Sequence, residues 1–368
     1  MKHQITLVGG QLLPVFIGIK AFTPDRIHFI VSSESKNRVT FLKSYLNGYT
    51  FSEYSCNAHD FHEVKSTCQK ILDRMNSEDE VSFNLTGGTK VMVLAIQSLI
   101  HEQGLNGFYI NQDDTILKLP SYAKVKLNSQ ITIKEFLELS GHTVSSYKLL
   151  NSFSKDDFDV ANKIFSFCTS SYRFKAIVTH FSNQYKDVVN MPASGSATVG
   201  KMLVTWGKNN ISVNDNGKII FNSSSKNINN LFFNSAWWEL LVAKEASTWK
   251  KVKELFVQCT LPFKNDGTYM KNEIDVLINI GHKLIFIECK SGKVKHDDIN
   301  KMRVVKDVYG GIISKSILVC LEMPSATIME KCKELNIEVF YLFLGKNKLN
   351  DLNKLSGILD SFEKKTSI

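Results

Sequence analysis

Between residues 4 and 111 short apolar runs alternate with helix-period segments, and that alternation restricts the fold more than any other feature. Residues 4–8 (QITLV), 26–33 (RIHFIVSS), 49–55, 81–85 and 107–111 read as strands. The segment QLLPVFIGIKAF begins as a loop and continues as a helix. Residues 37–48, 59–75 and 91–103 also read as helices, with Val39, Leu42 and Leu46 near helical spacing. Strands alternating with helices imply a mostly parallel, doubly wound sheet. Ligands of such sheets bind beyond the carboxyl ends of the strands. The loops at 9–12, 32–35 and 86–90 lie at those ends.

From 151 to 230 the character changes. Helices are expected over 156–170 and 172–189, followed by a small-residue loop at 191–200. A hairpin over 211–221 turns at Asn214-Asp215-Asn216-Gly217, and 223–227 has the composition of a linker. Helices followed by a hairpin suggest a winged-helix-like module. The last third reads helix (234–244), strand (254–260), hairpin (272–290), helix (297–308), strand (316–321), helix (325–335) and strand (338–344). Residues 115–127 read as an edge hairpin or exit strand and 132–140 as a helix leading out of the first domain. The expected division is 1–145, 146–230 and 231–368.

A chain of 368 residues has room for two domains and a small module between them. Its net charge of +9 points to an anionic partner, nucleic acid first, against the plainer reading of a solvated lysine-rich surface. Seven cysteines form no CxxC pair and are read as reduced thiols of a cytoplasmic protein. The histidines make no HxxxH or HExxH pattern, so a zinc site is not expected. The first apolar run is too short for a signal peptide, and no apolar run reaches the length of a membrane span.

Residues 272–290, NEIDVLINIGHKLIFIECK, read as a β-hairpin turning at Ile280-Gly281-His282-Lys283. Asp275 stands on the first strand, and Glu288, Cys289 and Lys290 end the second. Alternation puts Glu288 and Lys290 on one face and Cys289 on the other. Charge on strands that otherwise favour burial is costly unless it serves chemistry. Asp275 and Glu288 offer hard oxygen ligands for Mg²⁺ or Mn²⁺, and the Cys289 carbonyl a third. Lys290 is placed to orient a water or to stabilise developing charge. Glu239, one helix earlier, is within reach of the same metal or of a water in its shell. The alternative is an ion pair between Lys290 and one acid, worth about 0–1 kcal/mol at a surface.

Acid, acid and ExK on a helix, a hairpin and a strand resemble the PD-(D/E)xK restriction-endonuclease-like superfamily. The proline of that pattern is absent, Ile274 preceding Asp275. The resemblance implies a metal-dependent nuclease with Glu239, Asp275, Glu288 and Lys290 as catalytic residues. It also makes Lys301, on the following helix, a candidate phosphate contact.

Asn84-Leu85-Thr86-Gly87-Gly88-Thr89-Lys90 is a strand-to-helix turn rich in donors, and its two glycines permit close backbone approach. It lacks the GxxxxGK[ST] spacing of a Walker A loop. Gly9-Gly10-Gln11 is not a GxGxxG fingerprint. ATPase and NAD-dependent chemistry are therefore disfavoured. NxTGGTKxM resembles the signature of the CARF (CRISPR-associated Rossmann fold) domains. With the hairpin, it makes the chain similar to the CARF-nuclease effectors of type III CRISPR antiviral defence. That resemblance implies a homodimer that is activated allosterically by cyclic tetra-adenylate. It further implies cleavage of single-stranded RNA and DNA and nicking of duplex DNA. Its ligand contacts would be Gly9, Gly10, Gln11, Ser32, Ser33, Asn84, Thr86, Gly87, Gly88, Thr89 and Lys90. The competing expectation is a CARF-linked transcription regulator that binds nucleic acid and whose C-terminal domain is non-catalytic scaffold.

Overall fold

A computed structural model describes residues 1–111, 115–170, 172–262, 272–281, 283–310 and 314–364. The chain forms two compact units. The first is Met1–Val144 with Asn279–Lys283 and Tyr309–Ile313, and the second is the remainder.

The first unit runs β1 (Lys2–Val8), α1 (Leu12–Phe22), β2 (Arg26–Val31), α2 (Lys36–Lys43), β3 (Thr50–Ser55), α3 (Phe61–Leu72) and β4 (Glu80–Asn84). It continues with α4 (Lys90–Gln103), β5 (Asn106–Ile110), β6 (Thr115–Leu119), β7 (Lys124–Lys126) and α5 (Ile133–Leu139). The sheet order is β3-β2-β1-β4-β5-β6-β7. Pairings from β3 through β5 are parallel, and β6 and β7 add antiparallel. The doubly wound sheet read from the alternation is therefore present, with the expected hairpin at one edge. β1, central in the sheet, is buried from His3 to Val8, as a strand flanked on both sides must be. One face packs Ile5, Leu7 and Phe83 against Val64 and Cys68 of α3 and Met92 and Ile96 of α4.

The order of strands reverses between β1 and β4, which opens a crevice at their carboxyl ends. The turns on its two sides pack backbone to backbone. A Cβ on Gly9 would lie 2.0 Å from the Gly87 carbonyl oxygen, and one on Gly87 would lie 2.6 Å from that of Leu7. The glycines set the distance between the β1 and β4 turns.

The second unit opens with β8 (Ser146–Leu149), α6 (Lys155–Ser170), α7 (Arg173–Tyr185), β9 (Gly195–Val199), β10 (Met202–Trp206), β11 (Asn210–Asp215) and β12 (Lys218–Ser224). Two helices are followed by a four-stranded antiparallel sheet in the order β12-β11-β10-β9, so the expected hairpin is the outer half of a larger sheet. The 191–200 segment, expected as a loop, contains β9. A Cβ on Gly195 would lie 2.5 Å from the Trp206 indole, so its small residue allows close packing and does not mark a loop. The 223–227 segment, expected as a linker, completes β12 and then caps. Asn227 donates to Asp157 through its backbone N–H (3.3 Å) and its side-chain amide (3.0 Å).

The chain continues with α8 (Ile228–Phe233), α9 (Ala236–Ala246), β13 (Glu254–Leu261), β14 (Asn272–Asn279), β15 (Leu284–Lys290), α10 (His296–Val305), β16 (Lys315–Glu322), α11 (Ala326–Glu334), β17 (Ile337–Leu344), β18 (Asn347–Lys348) and α12 (Leu355–Lys364). Here the sheet order is β18-β17-β16-β15-β14-β13-β8. β15, β16 and β17 are parallel. The hairpin is present: Ile280 N–H donates to the Lys283 carbonyl at 3.1 Å. His282, read as part of its turn, lies outside the described residues. α9 is buried almost all round, and Trp238 Nε1 donates to the Val319 carbonyl of β16 at 3.1 Å. Trp237 also meets Phe165 and Phe174. These contacts tie α9 both to the sheet and to the helices that precede it.

Gly87→Ala is expected to force the β1 and β4 turns apart, because one of the close atoms is backbone. Overpacking of this kind costs about 1–3 kcal/mol. A melting temperature equal to wild type would show that the two turns are not locked together.

Candidate active site and candidate ligand cavity

Three elements of the second unit converge on its acidic residues. β14 carries Asp275, the end of β15 carries Glu288, Cys289 and Lys290, and α9 carries Glu239. Along β15 residues 284–287 are buried, Glu288 and Lys290 are half-buried, and Cys289 is buried. Strand alternation therefore turns Glu288 and Lys290 together, as the sequence implied. Cys289 N–H donates to Asp275 Oδ2 at 2.7 Å, which fixes the carboxylate of one hairpin strand on the backbone of the other. Lys290 Nζ lies 2.8 Å from Glu288 Oε1 and 3.2 Å from Asp298 Oδ1 of α10.

The ion pair expected from a purely structural lysine is thus present, but it leaves the acid excess standing. Burial first, then the charges of Glu288 and Glu239, hold the Asp275 carboxyl well above the usual range, against the pull of the Cys289 N–H. Burial also pushes Glu239 up to about 7, helped by Glu273 and Glu288 and opposed by its Gln258 hydrogen bond and by Lys148. At Lys290 burial works against the charged form, but Glu288 and Asp298 outweigh it and raise the ammonium above its ordinary value.

Like charges held together out of water are what a hard dication relieves. Among the described residues no group of three or more His, Cys, Asp or Glu side chains is gathered as a ligand set. Asp275 and Glu288 with a backbone carbonyl and waters suit Mg²⁺ or Mn²⁺, which commonly keep several waters. Cys289 contributes no thiolate, because burial raises its thiol well above the ordinary value. Lys301 lines a narrow cleft with Glu273 and Glu288. Gln258 and Lys148 were missed by the sequence reading. Gln258 Nε2 donates to Glu239 Oε2 at 2.8 Å, and Lys148 Nζ donates to Gln258 Oε1 at 2.6 Å. Neither residue belongs to a motif; a polar side chain inside the apolar run LFVQCTL was the available signal.

In the first unit a cavity of about 730 Å³ lies at the carboxyl ends of β1, β2 and β3. Of the expected contacts, Gly9, Gly10, Ser32, Ser33 and Thr89 line it. Gln11, Asn84, Thr86, Gly87, Gly88 and Lys90 do not. Asn84 is fully buried and works inside the scaffold. Its Nδ2 donates to the Val15 carbonyl (3.4 Å) and its Oδ1 accepts from Thr86 N–H (3.1 Å). Thr86 Oγ1 accepts from Ile110 N–H at 3.1 Å. Thr89 caps α4, accepting from Met92 N–H at 3.2 Å, and donates to the Ala58 carbonyl at 2.6 Å. Much of the motif therefore builds the turn. The cavity also takes Lys36, Arg38, Asn57 and His59, which the sequence reading left out. The loop after β3 shares the carboxyl edge with the others, and that position was the signal. Arg38 Nη1 of α2 donates to the Gly10 carbonyl, which joins that helix to the loop after β1.

Comparison with known proteins follows the same division. Residues 4–136 match the family model of the Card1 CARF domain, and residues 226–360 match that of the Card1-like endonuclease domain. No curated protein matches the chain. Among solved structures, Can2 from Sulfobacillus thermosulfidooxidans in complex with cyclic tetra-adenylate is similar at TM-score 0.70 and 18% identity, over 99% of this chain and 100% of that one. Protein VC1899 from Vibrio cholerae gives 0.66 and 14%, over 99% of both chains. A type III CRISPR defence DNA nuclease activated by cyclic oligoadenylate gives 0.59 and 14%, over 97% of this chain and 51% of that one. At these identities the likeness is one of fold. With a Card1 CARF domain and a Card1-like endonuclease domain in one polypeptide, the chain belongs to the Card1-like family of CARF-domain nucleases.

Proposed function

We propose that the chain is a phosphodiester hydrolase switched on by a cyclic oligoadenylate, cyclic tetra-adenylate first. The observation that carries this reading is the placement of Asp275, Glu288 and Lys290 on adjoining hairpin strands, with Glu239 facing them from a buried helix. Two proteins of similar structure, one in complex with cyclic tetra-adenylate and one activated by a cyclic oligoadenylate, support the choice of activator.

The residues divide the work. Asp275 and Glu288, with the Cys289 carbonyl, would hold Mg²⁺ or Mn²⁺. When bound, such an ion acidifies water and offsets charge on the phosphoryl group. Lys290 is kept charged by Glu288 and Asp298, so it acts as a donor. It orients the attacking water or stabilises negative charge as the phosphorane-like state forms. Glu239 keeps a carboxylate on the remaining side. Lys301, lining the cleft with Glu288, supplies a cation for the flanking phosphate. The substrates we propose are single-stranded RNA and DNA, together with duplex DNA that the enzyme nicks, in keeping with the net charge of +9.

In the first unit Lys36 and Arg38 bring positive charge to a cavity that is also lined by serine hydroxyls, backbone groups and the carboxylates of Glu34 and Glu63. A cyclic oligoadenylate presents phosphates and adenines repeatedly around a ring. We propose that two copies of the chain share one ring about a two-fold axis, each giving half of the lining. The ligand activates only if it binds one arrangement of the pair more tightly than another.

Labelled RNA or plasmid, incubated with Mn²⁺ or Mg²⁺, is expected to be cut when cyclic tetra-adenylate is present and spared when it is absent. Glu288→Ala should abolish cutting and keep ligand binding. Lys290→Met should slow it by about 100-fold or more, the scale of losing a transition-state donor. Cutting by Glu288→Ala at the wild-type rate would sink the assignment. Arg38→Ala should weaken the activator by about 10–100-fold, the loss of a charge-assisted contact. The readout is the ligand-induced rise in melting temperature, with the cutting rate restored at saturating activator. An unchanged melting shift would remove Arg38 from the ligand site.

A further inference from the structure

Gln258 sits where a side chain is hard to accommodate. In the pairing of β13 with β8, Val257 faces Lys148 and Thr260 faces Ser146. Gln258 and Cys259 therefore stand together against Tyr147, which is a β-bulge. Gln258 has φ +52, a left-handed conformation that glycine adopts at no steric cost and other residues resist. Bulge positions with this geometry normally carry glycine. A glutamine kept there, in a strand whose neighbours Val257 and Cys259 are buried, directs attention to what its side chain does. Its amide bridges two charged groups. Nε2 donates to Glu239 Oε2 at 2.8 Å, and Oε1 accepts from Lys148 Nζ at 2.6 Å. The lysine can only donate, so it fixes which end of the amide meets the carboxylate. The same site shows strain on its other side. Ser235, one turn before Glu239 at the start of α9, also has positive φ, +62, and makes no side-chain cap.

We propose that Gln258 is a positioning residue of the nuclease centre: the bulge turns its amide onto Glu239, and Lys148 locks the orientation of that amide. This inference rests on the nuclease reading. A glutamine that merely filled space would not need both ends of its amide engaged. Backbone strain of this kind persists at functional sites when the surrounding structure over-determines it. Bulges recur beside active sites because they re-aim a side chain out of the alternation. Here the re-aimed group reaches the acid on α9 and leaves Asp275 and Glu288 to the hairpin.

The test separates strain from hydrogen bonding by two substitutions in the full-length protein, assayed with Mn²⁺, cyclic tetra-adenylate and labelled RNA or plasmid. Gln258→Gly removes both the strain and the amide. It should melt at the wild-type temperature or about 2–4 °C above it, while kcat falls about 10–100-fold, the scale seen on losing a residue that orients a metal-site group. KM for nucleic acid should stay within about 2-fold, because the amide touches no substrate. Gln258→Met keeps the strain and size but not the bonds, and should lose kcat to the same degree without the gain in melting temperature. Lys148→Met should lower kcat as well, and Lys148→Met combined with Gln258→Met should fall no further than Gln258→Met alone. Full kcat in Gln258→Gly, or a loss of kcat that tracks a loss of melting temperature, overturns the inference. Multiplicative losses in the double variant remove Lys148 from it. Wild-type protein that cuts nothing under these conditions takes down the nuclease reading and this inference together. Wild type and Gln258→Gly cutting equally takes down only the inference.

Discussion

The second unit is built around carboxylates that the surrounding structure does not neutralise. Asp275 and Glu239 are each pushed toward the protonated form, first by burial and then by neighbouring acids. A protein gains nothing in stability from such a group, since burial beside other acids disfavours its charged form. The rest of the unit reads as the means of tolerating it. α9 is anchored by Trp238 on the Val319 carbonyl and by Trp237 among aromatic rings. The hairpin is cross-linked at Asp275 by the Cys289 N–H. The Lys290 ammonium is a nearby countercharge, and it is shared between Glu288 and Asp298. A cation of higher charge is what the remaining acids favour.

The first unit meets a different constraint, backbone proximity. Gly9 and Gly87 bring two strand ends so close that neither accepts a Cβ. Asn84 and Thr86 then spend their side chains on the turn itself. The cavity is the consequence. Its rim takes Gly9 and Gly10 from the β1 turn those glycine contacts fix, hydroxyls from the ends of β2 and β3, and the cations Lys36 and Arg38 from α2. Within the β4 turn the side chains of Asn84 and Thr86 are thus committed to the framework that holds the rim.

This explains which features were legible from the sequence. The parallel sheet could be read because buried strands and amphipathic helices carry different periods. The hairpin acids could be read because charge at the end of apolar LIFIECK violates that period. β9 could not, because its Gly195 packs against the Trp206 ring, a contact that a run of small residues does not reveal. The 223–227 stretch could not, because hydrogen bonding from Asn227 to Asp157 is a long-range fact. Arg38 and His59 reach the cavity only through strand order, which a linear reading does not supply. Gln258 escaped because a bulge has no compositional mark when its left-handed residue is not glycine.

The two constraints bear differently on how such a protein can change. In the first unit the glycine contacts fix the framework, while Ser33, Lys36, Arg38 and His59 at the rim are exposed and carry little packing. Those positions are free to vary with the ligand at small cost to the fold. In the second unit the charged residues are embedded in packed elements, so Glu239 or Asp275 cannot be exchanged without disturbing α9 or the hairpin. The rim of the first unit is therefore the more adaptable of the two places, and the acidic centre of the second the more constrained. A shared fold at under 20% identity shows that the framework itself survives wide change in sequence.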